Sequence, residues 1–127
     1  MFIKSLFLYL ILNIPASVMF SFLQYFEGAS NIKWTKEAFE NYSAEFDFNG
    51  KHEIAIFSAS GKLMETIADI QFEDLPEKAQ EFVFMNFSKS KVKDVKVHTS
   101  YDGNQTFSFS LSGGDYYFDT AGRQLMK

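Results

Sequence analysis

The sequence predicts an α+β fold: two tandem units, each a helix followed by an antiparallel meander, with the helices packed on one face of the sheet. Three observations carry this expectation. Residues 74–87 give a short helix signal, DLPEKAQEFVFMNF, near the middle of the chain. A weaker copy lies earlier, with Ile14-Pro15 and Phe26 standing 61 residues before Leu75-Pro76 and Phe87. Between and after the helices, polar and apolar residues alternate with the period of half-buried strands. The spacing of 61 recurs between Phe46, Phe48, Phe57, Gly61 and Lys62 and Phe107, Phe109, Phe118, Gly122 and Arg123. Self-similarity at a fixed period marks a repeated supersecondary unit, and here it predicts an unbroken register through both copies.

The elements follow in order. Asn13 is expected to cap the first helix, with Pro15 in the first turn where its missing N–H is harmless. Ile14, Val18, Phe22 and Phe26 recur every four residues as one apolar stripe, and Gly28 suits a left-handed cap. A strand near Ile32-Lys33-Trp34 comes next, then the alternating run at residues 42–48. Asn49-Gly50 is a strong signal for a tight hairpin turn, because both central positions need positive φ. A return strand at residues 52–58 and a turn at 59–62 lead to a strand at 63–67.

Asp74 is expected to cap the central helix, with Glu77 favourable to its dipole. Leu75, Ala79, Phe82, Val83 and either Asn86 or Phe87 form its buried stripe. Phe84 falls on the opposite side of the wheel, as Leu23 does in the first helix, so both are expected to be exposed. Strands at 92–98, 106–111, 116–119 and 124–126, separated by turns, complete the second meander. One helix on so small a sheet is marginal alone, so residues 13–127 are read as one domain of two repeats, 13–73 and 74–127.

Composition narrows the function classes. Sixteen phenylalanines in 127 residues imply a large aromatic core. A net charge of −4 and a pI near 5.1 argue against a nucleic-acid surface. Lys89, Lys91, Lys93 and Lys96 gather, but as a solvated loop and strand edge. Without cysteine there is no disulfide, thiolate ligand or cysteine nucleophile.

The first twelve residues, MFIKSLFLYLIL, give one positive charge and an apolar run of signal-peptide length. Asn13 and Pro15 interrupt it too early for a stable membrane span. Residues 1–12 are therefore expected to be a leader that directs export, its end extending to residue 21 if cleavage follows Ser21. That cleavage would remove half of the first helix. The segment staying attached, an earlier cut, and a start further upstream are the readings that reconcile leader and helix.

The stretch from Ile14-Pro15 through Val18, Phe22 and Phe26-Glu27-Gly28-Ala29 to Lys33-Trp34, the hairpin ending in Ser60-Gly61-Lys62, and the second copy with Leu75-Pro76, Phe87, Phe107, Phe109 and Tyr117 to Arg123 resemble one known group. They are similar to the PepSY-like, beta-lactamase-inhibitor-like family of small exported Bacteroidetes proteins, over about residues 13 to 127. Glu27 departs from the proline common there, and the leader is short. The resemblance implies helices on one face of antiparallel sheet, a periplasmic or cell-surface location and no established catalysis. It also implies protein, peptide or calcium binding without a transferable ligand set, and fold alone does not fix function.

Candidate residues are few. His52 and His98 stand at non-equivalent places and are read as strand-end residues. Asp102 and Asp119, on hairpin turns, are the weak candidates for calcium, far short of an EF-hand loop. No phosphate loop and no nucleophile elbow occurs. With Phe57 and Phe118 facing the helices, alternation sends Ile54, Ile56 and Tyr117 to the other side, as an apolar strip available to a partner. The alternative is that the two sheets, or two subunits of a homodimer, bury this strip. The expected function is a non-enzymatic exported module that binds a protein or peptide, with Ile54, Ile56, Tyr117, Leu23 and Phe84 as contact residues. The runner-up is a calcium-binding or calcium-regulated periplasmic protein. No nucleic acid is expected as a partner.

Overall fold

The structure, a computed structural model, describes residues 13–126, so the expected leader at residues 1–12 lies outside the described residues. Among the described residues it is an α+β fold of two α-helices and eight strands in antiparallel sheet. The chain divides into two compact units, Met1–Thr66 and Ile67–Lys127.

In the first unit, helix α1 (Ala16–Tyr25) precedes strands β1 (Ser30–Lys36), β2 (Tyr42–Phe48), β3 (Lys51–Phe57) and the start of β4 (Leu63–Asp69). Asn13 does not cap α1: it is exposed in the left-handed region at φ 53°. Pro15 occupies the capping position, its carbonyl accepting the N–H groups of Val18 and Met19 at 3.1 Å each. The correction has a steric cause, since the residue before a proline is pushed out of the helical region and the helix begins only after Pro15.

Val18 and Phe22 are buried on α1 and Phe26 follows at its end, while Ile14 packs at the margin, so the expected stripe is the one that docks. The Phe22 ring sits 5.0 Å from Phe46, 5.3 Å from Trp34 and 6.4 Å from Phe57, each edge-on. Burial of one such ring contributes about 1.5–3 kcal/mol, and favourable edge-to-face geometry adds to it. Trp34 Nε1 is buried with no hydrogen-bond partner among the described residues, at a cost of about 1–3 kcal/mol that the aromatic packing offsets. Asn49 and Gly50 adopt φ of 52° and 78°, as the hairpin requires.

In the second unit, α2 (Glu77–Asn86) precedes β5 (Lys93–Ser100), β6 (Gln105–Leu111), β7 (Gly114–Asp119) and β8 (Gln124–Leu125). Asp74 is not the cap of α2. It ends a one-turn 3-10 helix, Phe72–Asp74, and its carboxylate turns back to accept the Gln71 N–H at 3.0 Å. The reason is again the proline: Leu75, before Pro76, is extended at ψ 153°.

Ala79 and Val83 of α2 and the preceding Leu75 pack with Phe72, Phe109, Leu111 and Phe118. Phe109 stacks on Phe118 at 5.7 Å and on Tyr116 at 5.8 Å. Asn86 is exposed and donates to the Phe82 carbonyl, so Phe87 takes the last place of the stripe. Leu23 and Phe84 are exposed, as the helical wheel predicts.

The two units are not in one unbroken register. The helices stand 61 residues apart, as do Gly61 and Gly122. The β-bulges at Ser30/Lys33 and Lys93/Lys96 are 63 apart, however, and so are the turns Asn49-Gly50 and Ser112-Gly113. A one-turn 3-10 helix, Lys89–Lys91, lies on the connection after α2 and before β5. Pairing of β2 with β3 runs to Tyr42 opposite Phe57, whereas β7 enters its final turn two residues sooner. Phe109 thus takes the buried place of Phe46, not that of Phe48. The shift of two preserves which face each residue occupies, and for that reason the alternation pattern conceals it.

Gly61 and Gly122, at φ 93° and 86°, bring the last turn of each meander against the first turn of its helix. A Cβ on Gly61 would lie 2.6 Å from the Ser17 carbonyl oxygen, and one on Gly122 2.6 Å from Lys78 Cβ. Gly61→Ala is expected to cost more than the ~1–2 kcal/mol of a left-handed alanine, because the helix must also move. Gly28→Ala has open space and is expected to cost only the backbone term. Equilibrium urea unfolding of the two variants compares them; equal losses would show that the close approach carries no weight.

Candidate interaction face

Each unit buries one face of its strands under its helix, and alternation sends the intervening residues to the other face. In the first unit, Ser43 stands opposite Ile56, Glu45 opposite Ile54 and Asp47 opposite His52, while Lys33 and Thr35 of β1 flank Glu45 and Ser43. Ile54 and Ile56 are half-buried. They do not form a purely apolar strip: the neighbouring strand contributes serine and carboxylates, and His52 Nε2 lies 2.6 Å from Glu45 Oε2. The expectation fails because alternation within one strand says nothing about the residues its neighbour places beside it. On the helix side, Glu53 stands opposite Phe46, and desolvation raises its pKa above the usual carboxylate value, against a smaller lowering by Lys51.

In the second unit, Tyr117 on β7 faces away from the core between Ser108 of β6 and Leu125 of β8. His98 of β5 lies on the same face, its ring 6.2 Å from that of Tyr117 and its Nε2 2.9 Å from Ser108 Oγ. Sequence spacing did not bring His98 and Ser108 together, because only the β5–β6 register aligns them. Ser108 is buried. Asp94, Lys96, His98, Ser108, Ser110, Asp115 and Tyr117 line an open depression of about 230 Å³ on this face.

The calcium candidates sit on separate turns. Asp102 accepts the Asn104 N–H at 3.1 Å, Asn104 Nδ2 at 3.0 Å and the Ser100 hydroxyl; the serine bond chiefly holds its pKa below the usual range. Asp119 accepts the backbone N–H groups of Arg123 at 2.8 Å and Ala121 at 3.0 Å, with Arg123 Nε at 2.8 Å. The Arg123 N–H is the largest cause of its lowered pKa. Among the described residues no group of three or more histidine or acidic side chains is arranged to hold a metal ion, and no helix is long and apolar enough to cross a membrane.

Leu23 and Phe84, 59% and 60% exposed, lie on the helices, away from Ile54, Ile56 and Tyr117 within their own units. A feature the sequence did not flag is Phe39, 94% exposed in the β1–β2 connection at φ 60°. Bulky side chains rarely adopt that conformation, and no composition or period signal marks it.

A carboxylate with a depressed pKa stabilises the fold above its unfolded value, and the contribution is lost as pH falls through the folded value. Asp119→Asn is therefore expected to lower the melting temperature at pH 7. The gap to the parent should narrow as pH falls below 3.8, the ordinary aspartate value. Thermal unfolding across this range checks it; a gap that widens in acid would refute the turn-capping role.

No family model matches the sequence, and no curated protein does. Solved structures match the fold. A proposed periplasmic protein of Bacteroides eggerthii superposes with a TM-score of 0.78 at 19% identity, over 88% of this chain and 86% of that one. A BLIP-like protein of Bacteroides fragilis gives 0.68 at 21% identity, over 88% and 84%. A DUF2874 family protein of Bacteroides uniformis gives 0.73 at 16%, over 88% and 86%. The chain thus has the fold of these Bacteroides proteins, in keeping with the group that its sequence resembles.

Proposed function

We propose that the chain is an exported, non-enzymatic module that binds a protein or peptide through the sheet face opposite its helices, as an inhibitor or envelope accessory factor. The observation that carries this reading is the asymmetry of each unit. One face is closed by a helix, and the other presents Ile54 and Ile56, or Tyr117, half-buried amid serines, histidine and charged groups. Mixed surfaces of this kind, with aromatic anchors among polar groups, suit protein recognition. The leader-like first residues and the fold shared with a proposed periplasmic protein support export. The similar placement of helix and final glycine supports descent of the domain, residues 13–127, from a repeated helix-plus-meander unit, with two-residue shifts in between. No resident cofactor is assigned; Asp102 and Asp119 serve their own turns.

Photo-crosslinking residues placed at Ile54, Ile56 and Tyr117, and separately at Leu23 and Phe84, test this in the native host's envelope. Adducts with a second protein are expected from the sheet positions and are expected to disappear when Ile54→Lys is combined with a crosslinker at Ile56, on the same strand. Adducts from Leu23 and Phe84 alone would move the site to the helices. Adducts only with a second copy of the chain would replace the partner by a homodimer.

A further inference from the structure

Charge is absent from one long stretch of the chain, and that stretch runs through α1. Between Lys4 and Glu27 no residue is charged. The corresponding helix 61 residues on is different, since Ala16, Ser17 and Phe20 of α1 answer to Glu77, Lys78 and Glu81 of α2. Phe20 and Leu23 are 63% and 59% exposed, and Ala16 is exposed one turn before them. Residues at this spacing share one side of a helix, so the three form an outward stripe away from the buried Val18 and Phe22. A helix apolar on both sides calls for cover on both.

The stripe belongs to the folded unit. Ser17 and Ser21 donate to the carbonyls of Ala59 at 2.9 Å and Gly61 at 2.6 Å, while Val18 and Phe22 fill the core between them and the sheet. The sequence makes no provision for removing it. Signal-peptide cleavage reads small residues at the last and third-last places before the cut, and no two of the alanines and serines among residues 1–26 stand two apart. The uncharged residues 5–12 therefore stay joined to α1.

The chemistry of the stripe narrows what covers it. Centres of protein recognition set aromatic anchors among arginines and hydrogen-bonding groups, whereas Ala16, Phe20 and Leu23 offer hydrocarbon alone. A lipid surface asks for nothing else. The uncharged run leading into α1 adds apolar area of the same kind, and its interruption at Asn13 and Pro15 suits the interface rather than a span.

We propose that α1 is retained in the mature protein and that Ala16, Phe20 and Leu23 rest in the headgroup and acyl boundary of a lipid bilayer. Within the first unit Ile54 and Ile56 lie on the side of the sheet away from α1, so this seating turns them from the lipid. The proposal does not depend on what binds there.

The chain has no cysteine, so Phe20→Cys, Leu23→Cys and Ile54→Cys each give one attachment site for a polarity-sensitive NBD dye. Each labelled full chain is mixed with vesicles of phosphatidylethanolamine and phosphatidylglycerol, with and without lipids spin-labelled on the acyl chain. Blue-shifted emission that the spin label quenches is expected at positions 20 and 23 and not at 54. In the unlabelled chain, Phe20→Glu is expected to weaken flotation with vesicles about tenfold and Phe20→Leu by less than about twofold. Glutamate is the residue α2 carries at the corresponding place, and unchanged emission from the buried Trp34 checks that the fold survives. No flotation, or flotation without quenching at positions 20 and 23, would overturn the proposal. So would equal quenching at 54, which means insertion without orientation. A spectral shift that appears without lipid as protein concentration rises would give the stripe to a second copy of the chain and overturn it too. A mature envelope protein whose intact mass shows a start beyond residue 16 would contradict retention of α1. None of these results bears on recognition through Ile54 and Ile56.

Discussion

Phe22 enters the sheet of its unit edge-on to Trp34, Phe46 and Phe57, and much else in that unit follows from the contact. For the ring to reach so far, α1 must approach the strands closely, and the last turn of the meander must pass under its first turn. Gly61 permits that passage, and Ser17 and Ser21 tie it down by donating to the carbonyls of Ala59 and Gly61. The second unit solves the same problem with smaller helix residues. Ala79 and Val83 leave room that Phe82, Phe87, Tyr116 and the stacked Phe109 and Phe118 fill.

A helix that closes one face of a small antiparallel sheet leaves the other to be managed by the strands themselves. Here that face is neither plainly apolar nor plainly charged. In the first unit Ile54 and Ile56 are interleaved with Ser43, Glu45 and His52, and in the second Tyr117 stands beside Ser108 and His98. Left-handed backbone outside glycine is found at the bulge residues Asn31 and Asp94 within β1 and β5, at the hairpin turns, and at Phe39 and Glu40 in the β1–β2 connection.

Much of the fold was legible because period and turn chemistry act locally. The stripe at Ile14, Val18, Phe22 and Phe26, the Asn49-Gly50 turn and the exposure of Leu23 and Phe84 all follow from backbone geometry read along one segment. The caps at Asn13 and Asp74 were misplaced because a proline two residues on outweighs a good capping side chain. The two-residue shifts between units escaped notice because they preserve alternation. The face itself was only half legible: the direction of Ile54, Ile56 and Tyr117 is a property of one strand, but the His98–Ser108 pair and the Glu45–His52 pair depend on register between strands, which no single segment encodes.

Hydroxyl-radical footprinting of the free protein, read residue by residue by mass spectrometry, measures most directly whether one face is closed and the other open. Oxidation is expected at His52, Ile54, Ile56 and Tyr117, with Phe22, Phe46, Phe57, Phe109 and Phe118 spared. Protection of Ile54 and Tyr117 equal to that of Phe57 and Phe118 would mean that something already covers the second face, and recognition through it would be contradicted.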